Sequence, residues 1–288
     1  MDYKALIAGG KSVREYKTTP IDKKALEEIK SYAKASRKLI SDIAVTVEIM
    51  DNSQVFSKLD GVAGYKGHMI NAPCYMIIFS EVKEHYIENS GCIGEDIILK
   101  ANELGVDTCW ITFGDSNEIK AKLGVSTDKE VTAIIALGYN ASTDKKVINP
   151  TKTGQNYSKS DLDVVSSNTS YRLGVEEVVY IKEWGKNATL EQLEERAVLD
   201  AFHYARMAPS TLNRQPWRFI LDDGIVVLAV RKDEHTNTYE ERIDAGIVML
   251  YFEAIVDTTL FDLNWKFAQL EKDYKIPEDY EVVAYCNI

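Results

Sequence analysis

The sequence is poor in cysteine, histidine and proline, and each shortage removes a class of answer. Its four cysteines, Cys74, Cys92, Cys109 and Cys286, lie far apart and form no CxxC pair. That spacing argues against zinc, and a chain of 288 residues needs no disulfide scaffold. His68, His85, His203 and His235 stand alone, without the H-E-x-x-H spacing that sets two imidazoles on one helix face. Six prolines and sixteen glycines, in no biased tract, exclude collagen-like, fibrous and low-complexity classes. No run of about 18 apolar residues is available to span a bilayer. Met1–Gly10 is too short and too polar for a secretory leader, so a cytoplasmic protein with no membrane partner is expected. Basic residues are outnumbered 34 to 45, for a net charge of −11. A broad nucleic-acid footprint needs the reverse balance, because clustered Lys and Arg must displace phosphate counterions. A G-x-S-x-G elbow for a hydrolase serine is also absent. Gly61-Val-Ala-Gly64-Tyr-Lys-Gly67 has the wrong spacing for a dinucleotide loop. Acidic runs such as Asp161-Leu-Asp163 read as solvated faces rather than metal ligands.

What remains is a mixed pattern of helices and strands. Helical spacing of apolar residues predicts helices over Asp22 to about Ser36, Ile93–Leu104, Asn117–Leu123, Thr189 to Pro209, and Ile247 to about Thr258. Thr189-Leu-Glu-Gln192 has capping-box spacing. Strands are predicted at Ile43–Met50, Cys74–Phe79, Val106–Phe113, Val131–Leu137, Trp217–Leu221, Ile225–Val230 and Val282–Tyr285. The polar stretch Asn140–Ser170 has no periodicity and reads as a long surface connection.

A faint internal repeat runs through this order. Gly91 and Gly246 each open a helix in this reading, and Trp110 and Trp265 follow them at equal distances. Val125–Ala133 aligns without gaps on Ile276–Ala284, and Tyr32-Ala33-Lys34 matches Tyr204-Ala205-Arg206. Three matches in the same order favour duplication. The apolar stripes of the two long helices read as core, packed against each other across a pseudo-twofold. The second copy lacks a counterpart of the N-terminal segment and of the stretch after Leu137.

The most distinctive segment is Ala208-Pro209-Ser210-Thr211-Leu212-Asn213-Arg214-Gln215-Pro216-Trp217-Arg218-Phe219. Its prolines fix φ, and its small polar side chains can present donors and acceptors to a flat polar ligand. The residues alone fit either that use or an ordinary helix-to-strand connection. The pattern A-P-S-x-x-N-x-Q-P-W-x-F resembles the signature of the FMN-dependent nitroreductase family, and this likeness decides between them. The resemblance implies an α+β nitroreductase-like fold. Members are interlocked homodimers that bind FMN at the subunit interface.

By the same resemblance, Lys11-Ser12-Val13-Arg14-Glu15-Tyr16 corresponds to the family's N-terminal motif, with Ser12 on the FMN phosphate or ribityl chain and Arg14 on the pyrimidine edge. A cation there would stabilise the negative charge of reduced flavin. Gly10 and Lys11 stand where the family has two arginines. Arg172, in Ser170-Tyr-Arg-Leu-Gly-Val-Glu-Glu177, would grip the phosphate with its planar fork, and Ser170 replaces a family lysine. Glu88-Asn-Ser-Gly91 and Cys109-Trp-Ile-Thr112 resemble the central helix and the strand after it, which puts Ile111 and Thr112 beside the reactive edge. Tyr65 and Lys66 fall in a loop that often contacts flavin, and Pro209, Ser210, Thr211 and Asn213 complete the site. No side chain is assigned catalysis, because flavin carries the chemistry.

The first half lacks the A-P-S turn, having Ala35-Ser-Arg-Lys38, and the second half lacks both phosphate motifs. Hence the expectation is an intramolecular pseudo-dimer, monomeric in solution, divided at 1–187 and 188–288 with one flavin site. It would take hydride from NADH or NADPH and reduce a small-molecule acceptor such as a nitroaromatic or quinone. The alternative is an FMN-binding protein that stores the cofactor or senses redox state.

Overall fold

The computed structural model describes residues 1–142, 145–148, 162–165, 170–257 and 263–288, with 145–148 and 162–165 described by their backbone. α1 (Tyr3–Gly9) and α2 (Lys23–Ala33) each start at an aspartate, Asp2 or Asp22, whose side chain accepts a first-turn N–H. β1 (Val45–Asp51), α3 (Asn52–Leu59), β2 (Cys74–Ser80), α4 (Tyr86–Glu103), β3 (Asp107–Ile111), α5 (Ser116–Leu123) and β4 (Glu130–Gly138) follow. Their strands form one antiparallel sheet in the order β1-β2-β4-β3. β5 (Lys145–Ile148) and β6 (Leu162–Val165) pair antiparallel as a separate ribbon.

The remaining elements are α6 (Val175–Val178), β7 (Val179–Ile181), α7 (Leu190–Glu195), α8 (Leu199–Ala205), a 3-10 turn at Thr211–Asn213, β8 (Trp217–Asp222), β9 (Ile225–Arg231), α9 (Thr238–Val256) and β10 (Tyr280–Asn287). The second sheet runs β10-β9-β8-β7. Its β8, β9 and β10 follow the same antiparallel order as β1, β2 and β4, and Lys266 bridges Tyr285 where β3 bridges β4 in the first. β7 joins this sheet parallel to β8, so a strand before residue 187 belongs to the second sheet. No helix among the described residues is long and apolar enough to cross a membrane, and no cluster among them could hold a metal.

α4 and α9 cross at the centre, and the crossing is reciprocal. A Cβ on Gly91 would lie 2.4 Å from the carbonyl oxygen of Ile243, and one on Gly246 would lie 1.9 Å from that of Glu88. Each glycine thus meets the residue three before the other glycine, which is the self-complementary pattern of a twofold contact. Sequence reading puts these glycines at helix starts; they lie inside helices that begin earlier, at Tyr86 and Thr238. The early turns are masked because the crossing buries polar residues, among them Glu88, Asn89 and Ser90, so no apolar stripe marks them.

Other differences are local. The helix expected from Thr189 to Pro209 breaks into α7 and α8 at Ala197, whose φ is +56°. α1 and α3 are additional. Within the supposed surface connection the ribbon β5–β6 forms, while most of that stretch, Asp161, the side chain of Asp163 and the helix end at Thr258 lie outside the described residues.

Where the second half has its turn, the first half makes a half-buried charge cluster. Arg37 pairs with Glu253 at 3.2 Å and Asp257 at 2.5 Å, and its N–H donates to Asp96. Burial, then the charge of Asp257, pushes the Glu253 carboxyl up to about 7 despite Arg37. The folded protein therefore holds a proton that the unfolded chain releases near the ordinary carboxylate range, and stability must fall as pH rises from that range to about 7. Glu253→Gln is expected to flatten the fall in Tm over this window. Parallel melting profiles for the variant and the wild type would show that Glu253 does not titrate there.

Candidate functional site

One cavity of about 840 Å³ lies where the two sheets' loops meet the helix crossing, within the size range of cofactor sites. From the first half, Lys11, Ser12 and Arg14 line it, with Tyr65, Ile111 and Thr112. Ser170 and Arg172 enter from the segment before α6. Pro209, Ser210, Thr211 and Asn213 enter from the 3-10 turn. These residues are remote in sequence, and the fold brings them to one wall. Lys66 is the exception. It takes a left-handed φ of +55°, its Nζ lies 5.4 Å from the Tyr65 ring centroid, and it is outside the lining, to which Gly64, Tyr65 and His68 of the same loop contribute.

The turn is strained and heavily bonded. Leu212, Asn213 and Gln215 all have positive φ, between +48° and +55°, a conformation that non-glycine residues hold only when surroundings impose it. The surroundings are visible. The Gln215 N–H donates to Ser210 Oγ at 2.9 Å, and Gln215 Oε1 accepts from Leu173 N at 2.8 Å. Asn213 Nδ2 donates to the Tyr171 carbonyl at 3.0 Å, and Asn213 Oδ1 accepts from Arg172. The two polar arms of Asn213 therefore hold the Arg172 segment. The turn and the phosphate-motif arginine form one clasp, built from opposite halves of the sequence.

Arg172 is the main electrostatic feature. Its Nε donates to the Met207 carbonyl at 3.3 Å, and no carboxylate pairs with it among the described residues. Burial lowers its pKa, and neighbouring Arg206 adds to that effect. Arg206 itself has a buried Nε without an acceptor among the described residues. Arg206 donates to the Leu173 carbonyl at 3.0 Å and is not in the lining, so Arg172 is the guanidinium at the wall, and its planar fork is suited to phosphate. Arg14 is exposed at the cavity rim. Lys11 is less available, since it pairs with Asp107 at 3.5 Å.

Several wall residues escaped the sequence reading. Glu95 is buried and accepts from Trp110 Nε1 at 2.8 Å and Tyr251 OH at 2.7 Å. Burial raises its pKa, while these two donors oppose the rise. Asp244, also buried, accepts the Thr211 N–H. Ile98, Ile247 and Tyr251 were read purely as core, yet they face the cavity as well. The available signal was an acid inside an otherwise buried helix face, at Glu95 and Asp244. His68, set aside as isolated, lies in the wall too.

The equivalent place on the other side of the crossing is much reduced. A cavity of about 470 Å³ there is lined by Glu84, His85, Phe267 and Lys272, among others. The His85 ring stacks on Phe267 with centroids 4.1 Å apart, filling space that remains open near Thr112 and Glu240 in the larger cavity.

A family model described as "Putative TM nitroreductase" matches residues 3–256. Among solved structures, the chain is similar to a "putative nitroreductase" of Thermotoga maritima MSB8, at 16% identity and a TM-score of 0.59, over 100% of this chain and 94% of that one. It is also similar to an FMN-dependent nitroreductase of Clostridium difficile R20291, at 24% identity and a TM-score of 0.41, over 57% of this chain and 98% of that one. A nitroreductase of Bacteroides fragilis NCTC 9343, solved with bound FMN, gives 20% identity and a TM-score of 0.41, over 55% and 100%. No curated protein matches the sequence. The Thermotoga likeness is one of fold along the whole chain.

Proposed function

The chain belongs to the TM nitroreductase family, an α+β nitroreductase fold, and from that premise we propose that it is an FMN-dependent NAD(P)H oxidoreductase with one flavin site per chain. The observation that carries this reading is Arg172: a half-buried cation without a carboxylate partner among the described residues, held at the large cavity by a turn from the other half. Arg172 and Ser12 would hold the FMN phosphate, with Lys11 beside them. Arg14 would meet the pyrimidine edge. Ile111 and Thr112 would border the reactive edge, and Pro209, Ser210 and Thr211 would pack against the ring or ribityl chain. Tyr65 lies at the mouth. Asn213 acts through Arg172. Bound flavin would supply two-electron transfer from NADH or NADPH to nitroaromatics, quinones or similar acceptors.

The reciprocal crossing of α4 and α9 supports an intramolecular pseudo-dimer, monomeric in solution. The stacked His85 and Phe267 support one functional site rather than two. The units proposed are 1–187 and 188–288, with β7 donated to the second sheet.

FMN titration of the purified protein, followed by quenching of flavin fluorescence, tests the reading. Saturable binding is expected, and its absence would refute it. Asn213→Ala is expected to weaken binding by about 1 kcal/mol, or roughly fivefold, through loss of the clasp. Unchanged affinity in that variant would remove the turn from the site. A second reading, storage or redox sensing without turnover, is favoured by the weakened cation set: Ser170 has no charge, and Lys11 is engaged with Asp107. Anaerobic bleaching of the yellow protein by NADH or NADPH decides for catalysis, and failure to bleach decides for storage.

A further inference from the structure

Equivalent positions on the crossing helices carry different chemistry. The reciprocal contacts of Gly91 and Gly246 make Asn89 on α4 the counterpart of Asp244 on α9. Each accepts a backbone N–H from a connection in its own half: Ile40 donates to Asn89 Oδ1 at 3.0 Å, and Thr211 donates to both Asp244 oxygens at 3.1 Å. An amide therefore suffices for the structural task. In the wall of the large cavity a carboxyl stands instead, 3% exposed.

That carboxyl is poorly provided for as an anion. Thr211 alone serves both oxygens, through its N–H and its hydroxyl, and no cation pairs with them among the described residues. Glu240 and Glu241 stand on its own helix. Across the crossing is Glu88, already shared between Arg242 and His85, and the turn offers the Thr211 N–H. Burial holds its pKa well above the ordinary carboxylate range; the two glutamates add to the effect, and the Thr211 N–H and hydroxyl oppose it. A neutral carboxyl needs only an acceptor for its O–H, and the cavity is where one can sit. Glu95 differs, since both its oxygens are taken by Trp110 and Tyr251.

We propose, resting on the flavin reading above, that Asp244 presents a protonated carboxyl to the ligand space and gives its proton to the electron acceptor reduced there. The balance requires such a donor. A hydride brings two electrons and one proton, whereas a quinone becoming a hydroquinone, or a nitro group becoming nitroso and water, takes one proton more. The Asp244 O–H breaks, an O–H on the acceptor forms, and solvent reprotonates the carboxylate left behind.

Asp244→Asn is the discriminating variant, because Asn89 shows that an amide accepts the turn N–H. In FMN-loaded protein, one component of the protonated-carboxyl infrared absorption is expected to be lost, while any contribution of Glu253 and Glu95 stays. FMN affinity should stay within about threefold, and anaerobic bleaching by NADH should be unchanged, while reoxidation by benzoquinone slows on the order of 100-fold and loses its alkaline decline. An unchanged infrared spectrum or unchanged reoxidation would overturn the proposal. Failure of wild-type protein to bind FMN at all would instead overturn the flavin reading, and this inference with it.

Discussion

Arg172→Ala is expected to weaken FMN binding by about 2–3 kcal/mol, on the order of 30- to 150-fold in Kd, while leaving the Tm of FMN-free protein close to wild type. The asymmetry follows from its surroundings. In the protein alone the guanidinium is desolvated, lacks a carboxylate partner among the described residues, and sits near Arg206. Removing it relieves a half-buried cation and costs mainly hydrogen bonds to Met207 and Asn213. With phosphate bound, the same charge makes its strongest contact. Arg172→Lys keeps the charge but loses the planar fork, so intermediate affinity is expected. Fluorescence titration and thermal melts on the three proteins check this. An alanine variant that binds FMN as tightly as wild type would place the phosphate elsewhere.

Gly246→Ala is expected to destabilise the fold by about 3 kcal/mol, through overpacking at a backbone contact, and to lower Tm by roughly 6–12 °C. The added methyl would fall 1.9 Å from the Glu88 carbonyl oxygen, and backbone on both helices must move to admit it. Gly91→Ala meets the Ile243 carbonyl at 2.4 Å and should behave alike, because the contact is reciprocal. Gly9, with nothing near its would-be Cβ, provides the control. Its alanine variant should stay within about 0.5 kcal/mol of wild type. Equal melting temperatures for all three variants would mean that α4 and α9 do not approach as described.

Much of the cavity wall is legible in the sequence because its residues sit in compact motifs. The Pro209–Gln215 turn and the Ser12–Arg14 segment could be read off directly, and the fold gathers them with Arg172 around one cavity. Less legible was anything that depends on a long-range contact. Glu95 and Asp244 are acids within helices, and solvent exposure is the ordinary reading of an acid; only the crossing shows that both are buried. The helix starts at Tyr86 and Thr238 were hidden for the same reason, since small and polar residues at a close crossing erase the apolar period. Lys66, adjacent in sequence to Tyr65, has a left-handed backbone and is not among the residues that line the cavity. Asn213 reads in the sequence as a ligand contact; in the structure it lines the cavity and its amide bonds Arg172 and Tyr171.

The central claim is that two related halves of one chain build a single flavin site. Its most direct test is the stoichiometry of FMN bound to protein whose mass in solution is measured at the same time. The account predicts one FMN per chain on a monomer. Two FMN per chain, or binding only by a dimer of chains, would contradict it.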